Sequence, residues 1–159
     1  MASAFVTIRQ LVYQAIHAKK LAGGFVDNDW ELDWTYLPYQ ELKDIPPNGK
    51  VWIIGLAHGD EEALTRGNLT SMEIPVQVGF QRLVNASPAG RSVLDMLVEL
   101  VEQLREVCRK EVAADDNGFS WLRTESLKDP DETPYSYMGL RQASSFETYF
   151  TPYYKTILA

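Results

Sequence analysis

Between residues 72 and 80 the side chains Met72, Ile74, Val76, Val78 and Phe80 alternate with Glu73, Pro75, Gln77 and Gly79. Only an extended strand sends successive side chains to opposite faces, so this segment commits the chain to a sheet with one apolar face. Pro75 has no N–H to offer a neighbour, which places that point at an edge or a bulge. Residues 50–57, Lys-Val-Trp-Ile-Ile-Gly-Leu-Ala, are apolar toward both faces and rich in β-branched side chains. A strand covered on each side needs this composition, and the segment is expected in the middle of the sheet. From Glu31 the chain alternates again, with Leu32, Trp34 and Tyr36 on one face of a half-buried strand. Residues 119–125 set Phe119, Trp121 and Arg123 against Ser120, Leu122 and Thr124, a short strand. Residues 146–158 are aromatic and β-branched and form a last strand, expected to bend at Pro152.

Two segments carry the helical period instead. Phe5, Ile8, Leu11, Val12, Ala15 and Ile16 recur every three or four residues and line one side of a helix that Gly23-Gly24 ends. Val93, Leu94, Leu97, Leu100, Val101, Leu104, Val107 and Cys108 make a longer apolar stripe, with Asp95, Glu99, Glu102, Arg105, Glu106 and Arg109 left for water. Ser87-Pro88 and Ser92 are equally good starts for this helix, and Asp116-Asn117-Gly118 turns the chain after it. The expected fold is a single α+β domain over residues 1–159: a mostly antiparallel or mixed sheet of about five strands, packed by an N-terminal helix and a long central helix. No repeat or linker divides it. Residues 126–142 contain Pro130, Pro134 and Gly139 without a sustained period, and an irregular connection longer than about 12–15 residues usually has a binding role.

Charge and cysteine content narrow the function classes. A net charge of −7 gives no electrostatic footprint for nucleic acid or anionic membrane. Lys19-Lys20 and Arg105 with Arg109-Lys110 come nearest to a basic patch, and read as solvated helix positions. The single cysteine, Cys108, forms no internal disulfide and reads as a small buried hydrophobe. No basic N-terminal region precedes an apolar run, and no window approaches the roughly 18 apolar residues of a membrane span, so neither a secretory signal nor a membrane segment is expected.

Reactive constellations are sparse. His17 and His58, the two histidines, have no second ligand at the spacing that would set both on one helical face. No nucleophile elbow, Gly-rich phosphate loop or pair of CxxC motifs is present. Asp27, Asp29, Glu31 and Asp33 resemble the start of a calcium loop without its sixth-position glycine and twelfth-position glutamate. Those residues, Asp60-Glu61-Glu62 and Asp115-Asp116 all read as solvated surface. Asp129 and Asp131 flank Pro130 as turn residues. No catalytic residue, metal ligand or cofactor is therefore expected. What remains is an excess of aromatics: Trp30, Trp34, Trp52 and Trp121, with Tyr135, Tyr137, Tyr149, Tyr153 and Tyr154 grouped in the last quarter. They read either as core and sheet-face residues or as interface anchors.

The order of these pieces carries a resemblance. A helix precedes the extended Tyr36-Leu37-Pro38 and the strand Val51-Trp52-Ile53-Ile54, and Arg66 precedes the alternating strand. There follow the Leu-Val-Glu-rich helix through Leu94 and Leu104, Trp121 opening a loop with Asp129-Pro130, and the run from Arg141 to Tyr154. In this order the chain resembles the small tail terminator or tail completion proteins of long-tailed bacteriophages and prophages, over nearly its whole length. The resemblance implies a structural subunit that forms a hexameric ring with copies of itself on the head-proximal end of the tail tube. Such a ring stops tube growth and presents a surface to the head-tail connector. It further implies a virion neck or tail location, synthesis in the host bacterial cytoplasm, and DNA passing through the lumen without sequence-specific binding. Pro152 departs from a continuous final strand.

The two long connections, residues 58–70 and 126–142, supply the expected contact residues: His58, Glu61, Arg66, Asp129, Tyr135, Tyr137 and Arg141. The alternatives are a head-completion or connector adaptor that binds the portal, a small metal-dependent hydrolase using His58 and the carboxylates of Asp60, Glu61 and Glu62, and a regulator that binds a host protein.

Overall fold

The structure is a computed structural model that describes residues 3–36, 45–56, 59–63, 70–84, 90–113, 117–126, 138–142 and 145–158. Along the chain the elements are α1 (Ala4–Leu21), β1 (Glu31–Thr35), β2 (Lys50–Gly55), β3 (Asp60–Ala63), β4 (Thr70–Leu83), α2 (Arg91–Lys110), β5 (Phe119–Ser126), β6 (Met138–Gln142) and β7 (Ser145–Leu158). The seven strands form one mixed sheet, with a continuous path β1-β2-β4-β7-β5, β3 added beside β4 and β6 beside β7. The α+β class, the two helices and the mixed, mostly antiparallel sheet agree with the sequence reading. β1 with β2 is the parallel pair.

The alternating segment lies in β4, which pairs antiparallel with β7 from Thr70↔Leu158 to Leu83↔Ser145. These two 14-residue strands are the spine of the sheet. Each has two partners in succession on its outer side. β4 meets β3 along Thr70–Glu73 and β2 along Val76–Gln81. β7 meets β6 along Ser145–Thr148 and β5 along Phe150–Thr156. The middle of the sheet is therefore β4, whereas the sequence placed residues 50–57 there. β2 reads as central because it too is covered on both faces, with Val51, Ile53 and Ile54 fully buried, and β1 shields its outer side.

The two prolines are accommodated differently. Pro75 pairs with Tyr153 of β7 and falls in the seam between β3 and β2, where β4 has no registered partner on its other side. The expected edge is thus a local one, inside the longest strand pair. Pro152 interrupts the ladder without dividing β7: Thr151 and Pro152 have no registered partner in β4, yet the strand keeps the same offset to β4 before and after them. A register shift falls on β5 as well, between Trp121 and Arg123.

α1 ends as its sequence dictates. Gly23 adopts φ 69°, while the Gly23 N–H donates to Lys20 O and the Gly24 N–H to Lys19 O, at 3.1 and 2.9 Å. This is the Schellman closure that glycine makes without a Cβ penalty. α2 begins after Gly90 with no side-chain cap, one residue before Ser92. It is held by its stripe: Leu97, Leu100, Val101, Leu104, Val107 and Cys108 are buried against Val76, Val78 and Phe80 of β4, Phe150 and Tyr154 of β7, and Ile8, Val12 and Ile16 of α1. Each such side chain contributes on the order of 1.5–3 kcal/mol when fully buried, so this face carries most of the cohesion.

The face away from this cluster is unexpectedly polar for its burial. Gln77, Gln81, Glu147 and Thr151 are all buried there beside Tyr149. The Trp52 indole N–H donates to Gln81 Oε1 at 3.2 Å, and the Gln81 amide donates in turn to Tyr149 OH at 2.9 Å. A hydrogen-bonded chain of this kind removes the desolvation cost that a buried amide otherwise carries.

Candidate interaction surfaces

Of the contact residues expected from sequence, His58, Arg66, Asp129, Tyr135 and Tyr137 lie outside the described residues, and Arg141 is placed in β6 without a described side chain. Glu61 is exposed on β3 opposite Met72. The two connections that were to supply these contacts contain short strands: β3 adds to the outer side of β4 and β6 to that of β7.

The described residues form two other surfaces. The first lies where α1 crosses β1. Arg9 is only 6% exposed although it carries a guanidinium, and its Cζ sits 3.8 Å from the Trp34 ring centroid and 5.9 Å from that of Tyr36. Helix geometry explains the burial, because Arg9 falls within the stripe of Ile8, Val12 and Ile16. A cation over an indole face recovers part of the lost hydration. Gly55 makes room for this group, since a Cβ there would fall 2.5 Å from Tyr36 Cε1 and 3.2 Å from Arg9 Cδ. Trp34 and Tyr36 meet edge to face at 5.9 Å, yet remain 46% and 47% exposed. With Arg9, Gln10, Tyr13 and Gln14, Trp34 borders a cleft of about 240 Å³. The sequence puts Leu32, Trp34 and Tyr36 on a common half-buried face, and the structure agrees: Leu32 packs on the core, and the two aromatics are each about half covered. A signal for this surface was present in the charged Arg9 inside an apolar stripe.

The second surface lies between α2 and β5. Arg105, Arg109, Trp121, Arg123 and Thr124 line an open cleft of about 330 Å³. Arg105 donates to Ser126 Oγ at 3.2 Å and lies over the Phe150 ring. Trp121 donates to Thr124 Oγ1 at 2.9 Å, which fixes the indole as one wall. Arg123 donates to Glu125 at 3.1 Å and to Glu73 at 3.2 Å. Those hydrogen bonds, the Glu125 one first, hold its pKa above the usual guanidinium value. Its Cζ also lies 4.0 Å from the Tyr153 ring centroid.

The one thiol sits elsewhere. Burial pushes the Cys108 pKa up to about 12, so at neutral pH it is a protonated, inert group. Tyr154 OH donates to the Cys108 carbonyl at 2.7 Å, and burial raises this phenol well above the usual range. Among the described residues no three His, Cys, Asp or Glu side chains come together as a group able to hold a metal ion. Among them, too, no helix is long and apolar enough to cross a membrane. Comparison with models of known protein families and with curated protein sequences finds no match.

Proposed function

We propose that this chain is a structural subunit of a phage neck or tail, whose copies assemble into a ring, a hexamer, that caps the head-proximal end of the tail tube and joins it to the head connector. The order of sequence elements motivates the reading. The observation that carries it is the Arg9, Trp34 and Tyr36 surface beside β1, a strand that pairs only with β2 among the described strands. Trp, Tyr and Arg are the residue types that dominate protein interfaces when they become buried. An indole left nearly half in water forgoes about 2 kcal/mol of burial that a neighbouring subunit would supply.

The test is electron microscopy of purified tail tubes of the cognate phage incubated with the chain. Rings at one end of the tubes are expected, with occupancy cut at least tenfold by Trp34→Ala combined with Tyr36→Ala. Bare tube ends at saturating protein would overturn the reading, and binding to isolated portal with no affinity for tubes would replace it with an adaptor role.

A further inference from the structure

The arginine cleft and strand β3 are complementary in a way the fold itself does not use. Arg105 and Arg109 are one helical turn apart on α2, a spacing at which like charges repel. Among the described residues neither is joined to a carboxylate, and Arg105 has only the Ser126 hydroxyl as a hydrogen-bond acceptor. Arg123 alone has acidic partners, Glu73 and Glu125. Two cations thus face an open cleft with no salt bridge among the described residues, Arg109 having the longer-range field of Glu106, in a chain with 22 Asp and Glu against 15 Lys and Arg.

Charge of the other sign is left over on the opposite margin of the sheet. β3 places Asp60, Glu61 and Glu62 consecutively on a strand that pairs only through β4, and all three side chains are exposed. None has a Lys or Arg partner among the described residues. The other acidic group near a strand is already partly neutralised, with Asp33 on Lys50 at 3.4 Å and Asp27 on Arg82 at 3.5 Å. β4 and β7 lie between β3 and β5, and Arg123 alone of the cleft cations reaches toward β3, through Glu73, the register partner of Asp60.

We infer that Arg105 and Arg109, on the α2 wall of this cleft, receive the Asp60, Glu61 and Glu62 strand of a second copy of this chain. Guanidinium groups suit the task because their forked donors bind carboxylates in pairs. Contact between two different surfaces of identical subunits is head to tail, and repetition of it closes a ring when the rotation allows. The inference rests on the ring reading above, and gives that ring its charge register. A nucleic-acid strand is the less suitable occupant, since the chain as a whole is acidic and would repel phosphate.

Sedimentation and native mass spectrometry at low salt test it with three proteins: the unaltered chain, Arg105→Glu/Arg109→Glu, and Asp60→Lys/Glu61→Lys/Glu62→Lys. The unaltered chain should associate, and each variant alone should associate at least tenfold more weakly. Mixed in equal amounts, the variants should rebuild an even-numbered ring of alternating subunits, because every junction then joins opposite charges. That rescue also shows both variants to be folded.

Variants that associate like the unaltered chain, or a mixture that stays dissociated, would overturn the inference while leaving ring formation through other surfaces intact. Charge-dependent rings that ignore tail tubes would uphold the inference and remove the tail function. An unaltered chain that stays monomeric at every concentration would overturn the inference, and bare tube ends with the same material would remove the tail function separately. Loss of DNA binding in the arginine variant, with self-association unchanged, would reassign the cleft to nucleic acid.

Discussion

The Tyr149 ring in β7 fills the space that a Cβ on Gly79 in β4 would need, with Cε1 and Cδ1 only 2.5 and 2.7 Å from that position. The two residues are paired in the register of the sheet, and the phenol beyond the ring accepts the Gln81 amide. The glycine is thus a packing requirement of the polar face.

Gly79→Ala is expected to destabilise the fold by about 1–3 kcal/mol, the usual cost of forcing an atom into a filled site. Urea denaturation measures it. Combined with Tyr149→Leu, which vacates the ring positions, the loss should be clearly less than the sum of the two single losses. Strict additivity would mean that the ring moves aside freely.

Tyr154→Phe tests how α2 is tied to β7. At the end of α2 the N–H of Val112 turns back to Val107 O at 3.3 Å instead of meeting Cys108 O, and the Tyr154 hydroxyl takes that carbonyl at 2.7 Å. Removing the hydroxyl leaves a buried carbonyl without this donor, at a cost of about 1–3 kcal/mol. Hydrogen exchange should show the last turn of α2 opening more readily in the variant, with β4 protected as before.

Alkaline pH should weaken the fold in a defined window. The Cys108 pKa is raised by burial from about 9 to about 12, and Tyr154 is shifted upward by burial and by its neighbour Cys108. The folded chain keeps these protons where the unfolded chain releases them, so stability falls as pH rises. The contribution of Cys108 is complete below about pH 9 and lost as pH rises to about 12. Tm measured from pH 8 to 12 should decline, and Cys108→Ala should remove the part of the slope that begins at the lower end.

Trp34→Ala should separate stability from association. Folded chains lose a cation–π contact and the covered half of the indole, so Tm should fall by an amount that corresponds to about 1–3 kcal/mol. Self-association or tube capping should fall at least tenfold, as read by sedimentation and by microscopy. A large drop in Tm with association unchanged would make Trp34 a structural residue only.

The elements visible in the sequence were those whose periodicity coincides with burial. β4 shows a period of two, and α2 shows a stripe in which six of its apolar residues are fully covered. Position within the sheet was less legible, because β2 and β4 are both covered on two faces and composition cannot rank them. β3 has no strand signature in the sequence: Asp-Glu-Glu-Ala has little strand preference, and it is extended because Thr70–Glu73 offers a ladder. Gln77 and Gln81 alternate as outward residues would, yet both are buried, Gln81 within a hydrogen-bonded chain that only the tertiary fold assembles. The arginine cleft is invisible in the sequence for a similar reason. By spacing, Arg105 and Arg109 form a solvated helix face, and nothing in that spacing shows that Arg123 and Trp121 border the same cleft.

The seam at Pro75 has a mechanical meaning. β3 is attached to β4 on one side of that proline and β2 on the other, with no registered pair bridging them. A force applied to β3 therefore enters the Thr70–Glu73 part of β4 first and reaches β2 and β1 only through β4. The margin that would grip a neighbour and the margin that bears Trp34 are separately suspended, so strain on the former need not distort the latter.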